Sequence, residues 1–209
     1  MSLSTQEKKA LADAMESADR GGRVRHTAWK VLIGAPGTGK TTLLRQLASK
    51  GYTVVSDPAR DILEQDVHRG GEPFSSRQDY REFQWQVLRI ALSRMERLPD
   101  TDVVYFDYGI CECLAFLKAA HISWDRDMVE AVVQIRFAEA YLLELVPQPM
   151  LPADSIRIES IERRIELQQL VTQIYSIIGP EPIPLTFSTP DERLAQILLR
   201  DQLGLRVRK

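Results

Sequence analysis

The chain has 209 residues, of which 44% are apolar and 27% charged, so it can bury a full core and is not a disordered tail. Its 27 basic and 29 acidic residues leave a net charge of −2, which excludes the basic surplus that a generic nucleic-acid binder needs. No apolar stretch approaches the roughly 20 residues of a bilayer span, and the polar N-terminus lacks the apolar segment of a secretion signal. A cytoplasmic protein without nucleic-acid or membrane partners is expected. Cys111 and Cys113 suit neither a disulfide framework nor a four-ligand zinc site, and read as reduced thiols.

Residues 1–27 are rich in Ser, Lys, Glu and Arg, and Leu3, Leu11, Ala14 and Met15 leave only a thin apolar stripe. This pattern predicts a polar arm or short surface helix ahead of a main domain over 28–205. Residues 29–33 form an apolar run that enters a glycine-rich turn, as a buried strand would. A helix over 41–50, stopped by Gly51, leads to a second strand over 52–55 that Pro58 ends. Helical character follows over 60–68, then a loop at 70–73. Asp79 with Glu82 predicts a capping box for a long helix closed by Pro99. The third strand is read over 102–106, helices over 110–120 and 126–136, and a fourth strand over 138–145. Pro147, Pro149 and Pro152 then break the pattern, and 146–166 has the character of a lid-like insert. Ser160 can cap a further helix that runs to Gly179-Pro180, before a fifth strand over 183–187 and a last helix over 191–203. Strands alternating with helices predict an α/β domain with a parallel sheet of five strands and helices on both faces.

Gly34-Ala35-Pro36-Gly37-Thr38-Gly39-Lys40-Thr41 fits G-x-x-x-x-G-K-[ST] without a mismatch, between a predicted strand and a predicted helix. Glycines let such a loop wrap a polyphosphate, so that successive N–H groups and the positive helix end point at it. A P-loop NTPase fold with a site for ATP and Mg²⁺ is expected, its wall formed by Gly34 to Thr42. Lys40 would neutralise the β and γ phosphates and the Thr41 hydroxyl would ligate the metal. A second metal anchor is sought at the end of the apolar run 103–106, where Asp107 supplies a carboxylate. Asp107 could instead cap a helix beginning at Tyr108.

Missing motifs narrow the class. The chain has no Asn-Lys-x-Asp element of GTPases and no Leu-Ser-Gly-Gly signature of transporter ATPases. Only about 20 residues follow the fifth strand, fewer than the helical lid of ring-forming machines needs. A compact chain with an arginine-bearing insert has the layout of a small-molecule kinase.

The run 34–42, with Ser56-Asp57-Pro58-Ala59-Arg60-Asp61-Ile62, Phe83-Gln84 and Phe106-Asp107-Tyr108-Gly109, resembles the NadR-like AAA domain family of P-loop proteins. That family includes a nicotinamide-riboside kinase domain and resembles deoxynucleoside kinases more distantly. Two positions depart from its usual pattern: Asp57 stands where members have Glu, and Tyr108 where many have Arg. The resemblance implies that Asp57 takes the proton of an acceptor hydroxyl. As an isolated Asp-Pro pair, the same residues read equally well as the start of a turn. Arg157, Arg163 and Arg164 lie where a lid would close over the phosphates. Arg157 is the candidate for stabilising the transferring group, against a reading in which these arginines pair with Glu159, Glu162 and Glu166 on a solvated helix face. The expected function is phosphoryl transfer from ATP to a nucleoside-like or other hydroxylated acceptor. The alternative is an ATPase switch that signals to a protein partner.

Overall fold

Short continuous apolar runs suit the inner strands of a sheet covered on both faces, and here they pair in parallel. The computed structural model describes residues 1–68, 77–145, 160–186 and 189–207. In chain order its elements begin with α1 (Thr5–Arg20), β1 (Arg25–His26), β2 (Lys30–Ile33), α2 (Lys40–Ser49), β3 (Thr53–Val55), α3 (Pro58–His68) and α4 (Arg77–Met95). They continue with β4 (Val104–Phe106), α5 (Glu112–Ala119), α6 (Arg126–Val132), β5 (Ile135–Arg136), β6 (Glu139–Leu143), α7 (Ile161–Ile178), β7 (Ile183–Leu185) and α8 (Pro190–Val207).

The main sheet has five parallel strands in the order β3-β4-β2-β6-β7. Its middle strand, β2, is buried at all four residues. Side chains alternate across it: Val31 and Ile33 join one core with Val104, Phe106 and Ala140, while Leu32 joins a second core with Tyr105, Tyr141 and Leu143. The first core is covered by α1, α4, α5, α6 and α7, and the second by α2 and α8 through Leu43, Leu47, Leu194 and Ile197. This is a three-layer α/β/α fold. The connections from β2 and β6 leave toward opposite edges of the sheet, so the end of β2 lies at the topological switch point where such folds bind ligands.

Several expectations are corrected. The strands are shorter than the apolar runs that suggested them, because each ends where its neighbour's pairing ends. The helix read from Asp79 begins earlier, at Arg77, so Asp79 is not a cap; it sits in the first turn, where its charge favours the positive helix end. The two-residue strands β1 and β5, too short to leave a pattern in the sequence, pair in parallel beside the main sheet. Arg25 of β1 closes the end of α4 by donating to the carbonyls of Met95 (3.0 Å) and Leu98 (2.7 Å) and pairing with Asp100 at 2.5 Å.

The N-terminal residues give more structure than their thin stripe suggests. Ser4 and Glu7 form a capping box, and α1 runs for 16 residues. Leu3, Leu11 and Ala18 are buried, the Leu3 N–H donates to Gln173 of α7 at 2.9 Å, and Glu7 pairs with Lys118 of α5 at 2.9 Å. Ala14 and Met15 pack partly buried against the same core, so tertiary contacts hold α1 although its apolar stripe is thin. Leu11→Ala should therefore cost about 2–5 kcal/mol in a denaturant titration. A frayed arm would tolerate the change within about 0.5 kcal/mol.

Candidate functional site

The loop between β2 and α2 owes its path to glycines. Gly34, Gly37 and Gly39 have φ of +141°, +74° and +94°, and a Cβ on Gly34 would stand 2.9 Å from the Leu143 carbonyl oxygen. Gly39 occupies the N-cap position of α2 and brings no side chain to the first helical N–H groups, which leaves that end open to an anion. Gly34, Ala35, Pro36 and Thr38 are buried, whereas Gly37, Gly39 and Thr42 are exposed and Lys40 and Thr41 half-buried. The loop thus has a buried rear and an open front.

Its rear is tied on every side. Within the loop, Thr38 Oγ1 donates to the Ala35 carbonyl at 2.9 Å, and Lys40 Nζ donates to the carbonyls of Gly34 (2.7 Å) and Ala35 (3.1 Å). From α7, Gln168 Oε1 accepts the Ala35 N–H at 2.7 Å and Arg164 Nε donates to the Pro36 carbonyl at 2.8 Å. From α8, Arg193 Nη1 donates to the Thr38 carbonyl at 2.6 Å, while its other nitrogens reach Glu144 and Thr186. Gln168 and Arg193 were not legible as site residues: an amide and an arginine on amphipathic helices look like surface groups until the helices are docked.

Two expected partners come together at the front. Thr41 Oγ1 donates to Asp107 Oδ2 at 2.6 Å, and Asp107 is buried. The helix after β4 begins at Glu112 with Cys111 in the cap position, so Asp107 is not its N-cap. Asp57, at the end of β3, is also buried, and its Oδ1 accepts the Ala59 N–H at 2.8 Å, which starts α3. The turn role of Asp57 is thus present in the structure, on the sheet edge that carries the loop.

Glu112 is a site residue that sequence reasoning missed, although a lone Glu within Ile110-Cys111-Glu112-Cys113-Leu114 is a visible signal. It is 3% exposed. Burial pushes its carboxyl up to about 8; Lys40 opposes this, and Asp57 and Asp107 add to it. Tyr108 is buried beside this group, and its hydroxyl has no hydrogen-bond partner among the described residues. Burial raises its phenol well above the usual range, aided by Cys113, Glu112 and Asp57. Both cysteines are buried, and burial pushes the Cys111 thiol up to about 12, which keeps it protonated.

The arginines of the insert separate. Arg164 is buried against the loop, so the solvated-face reading fails for it. Arg163 pairs with Glu166 at 2.8 Å as the helical spacing suggested. Arg157 lies outside the described residues. A cavity of about 610 Å³ between α1 and α6, lined by Ala10, Ala14, Trp124 and Val133 among others, shares no residue with the loop. Among the described residues, no helix is long and apolar enough to cross a membrane.

A family model described as an AAA domain matches residues 29–193. The chain belongs to this AAA domain family. Membership agrees with the resemblance carried by the loop, the Pro-Ala-Arg run and the third strand, and makes the domain a P-loop NTPase. Deoxyadenosine kinase from M. mycoides, in a structure with its product dCMP and a flexible dCDP bound, is similar with a TM-score of 0.63 and 15% identity, over 83% of this chain and 98% of that one. A structure of the same enzyme with dATP gives 0.54 and 13% identity over 85% and 99%. At these identities the likeness is one of fold. In sequence, the tRNA modification GTPase MnmE of Anaplasma marginale is 38% identical over 68 residues, 31% of this chain and 15% of that protein. A nucleotide-binding protein of Granulibacter bethesdensis is 37% identical over 91 residues, 43% of this chain and 25% of that protein. The AAA domain chain thus spans 15% to 25% of the length of these relatives.

The Glu112 carboxyl gives a stability test with a definite sign. The unfolded chain loses this proton near 4.5 and the folded chain near 8, so between these values the native state holds more protons. Stability should fall as pH rises through that window and level off above it. Glu112→Gln should flatten this slope relative to the parent chain, read as melting temperature against pH.

Proposed function

We propose that this AAA domain binds MgATP and transfers the γ-phosphoryl group to the hydroxyl of a nucleoside-like acceptor. The observation that carries the reading is the hydrogen bond between Thr41 and Asp107 beside Lys40, on the edge where Asp57 and Glu112 also lie. Thr41 and Asp107 offer adjacent hard oxygen donors. Among the described residues no group of three or more His, Cys, Asp or Glu converges to cage a metal. The two hard oxygens of Thr41 and Asp107 suit Mg²⁺, which keeps several waters and is held by one or two protein oxygens together with phosphates. Bound there, the ion would neutralise charge on the β and γ phosphates.

The chain's own groups divide the remaining work. Lys40, already turned toward the loop, would follow the charge of the transferring group. Asp57 would take the acceptor proton as its oxygen bonds to the γ phosphorus and ADP leaves. Glu112, protonated at neutral pH, would add no second negative charge beside Asp57 and could donate a hydrogen bond to an acceptor oxygen. Arg157 would supply a cation from the insert in the transition state. The likeness in fold to a deoxyadenosine kinase agrees with a kinase reading.

Tyr108 favours a second reading. A buried phenol at the position of the family's arginine removes a cation from the acceptor side. An ATPase switch working on a protein partner is then the alternative, and the partial likeness to a tRNA modification GTPase agrees with nucleotide hydrolysis.

MgATP at about 100 times its dissociation constant should stabilise the fold by about 2.7 kcal/mol, and Lys40→Ala should weaken that gain while leaving the domain folded. Asp107→Asn should reduce the magnesium dependence of binding more than binding measured without metal. An unchanged thermal shift in the first variant, or unchanged magnesium dependence in the second, removes the site.

Turnover separates kinase from switch. With ATP and a panel of nucleosides and ribosides, acceptor-dependent turnover should be lost in Asp57→Asn and Arg157→Ala, the latter with little change in ATP affinity. Free phosphate as the sole product, unaffected by Asp57→Asn and stimulated by a protein, would leave the switch.

A further inference from the structure

The phosphate-binding loop has two halves with different surroundings. Its open front is the run that binds phosphate in the reading above. Its rear, from Gly34 to Pro36 with Thr38, is buried and carries polar backbone groups that cannot reach water. Each such group left unpaired would cost more than an ordinary hydrogen bond gains. Three side chains from outside the loop pair with this rear: Gln168 and Arg164, one helical turn apart on α7, and Arg193 on α8.

Gln168 is the most constrained. Its Oε1 accepts from Ala35 N, and its Nε2 donates to the Leu143 carbonyl at 3.0 Å. One amide thus spans from the end of β6 to the start of the loop, and its two ends cannot be exchanged without losing both bonds. Arg164 fixes the next carbonyl, at Pro36, which has no N–H of its own to tether it. Together they set the orientation of the 34–36 peptides, on which the direction of the following N–H groups depends.

We infer that Gln168 and Arg164 are positioning residues for the phosphate-binding loop: they set nucleotide affinity by holding the rear of the loop, without touching the nucleotide. Arg193 supports the same loop at Thr38, and its additional bonds to Glu144 and Thr186 give it a structural role as well. The inference rests on the loop being a nucleotide site, and the test separates the two.

Binding of a fluorescent ADP analogue is measured in the presence of magnesium for the full chain and for Gln168→Met, Arg164→Met and Arg164→Lys, with the melting temperature of each taken without nucleotide. Methionine keeps much of the buried volume and removes the polar contacts. Lysine retains a donor for the Pro36 carbonyl. Gln168→Met, which loses two neutral hydrogen bonds, and Arg164→Met, which loses one from a charged donor, should each weaken binding by about tenfold, and Arg164→Lys should recover most of the loss. Should Gln168→Met fail to fold, Gln168→Glu keeps the acceptor for Ala35 and places an oxygen against Leu143, and it too should bind about tenfold more weakly. If the full chain binds no nucleotide, the functional reading itself fails. If it binds and these variants bind equally well, or if Arg164→Lys is no better than Arg164→Met, the positioning role is overturned and the contacts only hold α7 in place.

Discussion

A loop that binds phosphate through its backbone must turn a row of N–H groups outward while every carbonyl and N–H behind them is satisfied inside the protein. In this chain that second demand is met largely from elsewhere in the sequence. Lys40 and Thr38 supply part of it within the loop, but Ala35, Pro36 and Thr38 also depend on Gln168, Arg164 and Arg193. The layered architecture serves this requirement: α7 and α8 lie on opposite faces of the sheet, and Gln168 and Arg164 from the first and Arg193 from the second reach the loop at the end of β2.

The reach of Arg193 depends in turn on how α8 is fastened. Near the other end of that helix, Asp201 meets Lys30 of β2 and the Tyr105 hydroxyl, while Lys30 also pairs with Glu139 at 3.2 Å and Tyr141 donates to Glu139. This knot lies under the second core, with Lys30 and Asp201 each about 10% exposed. A buried pair of this kind is weak evidence for net stability, because desolvation offsets much of the attraction, but breaking one partner leaves an uncompensated charge. Its geometric effect is clear. It ties α8 to β2, β4 and β6, the strands that flank the loop.

The electrostatics of the front follow from the same burial. Asp57 and Asp107 stand near Glu112 at one edge of the sheet, and Lys40 is the cation that acts on Glu112. Such a concentration of acids in low dielectric is tolerable if one of them holds its proton, and burial selects Glu112. Gly109 belongs to this arrangement, because a Cβ there would collide with the Tyr175 hydroxyl. The phenol of Tyr175 can approach the turn after β4 only because that residue has no side chain.

The sequence alone determined the parts that local chemistry encodes. The glycines of the loop, Lys40 and Thr41 are fixed by spacing, and the alternation of short apolar runs with helical patterns was sufficient for the parallel three-layer fold. Ser160 was legible as a cap because its hydroxyl serves an N–H three residues away. Only the tertiary structure decided that Asp107 meets Thr41 across 66 positions of chain, that Arg164 is buried behind the loop and not solvated, and that α1 is docked through Leu3 and Leu11. These depend on which helix face meets which strand, and residues far apart in sequence carry no local pattern that records it. The strands β1 and β5 failed for the complementary reason: two residues are too few to establish a period, and pairing with each other is what makes them strands.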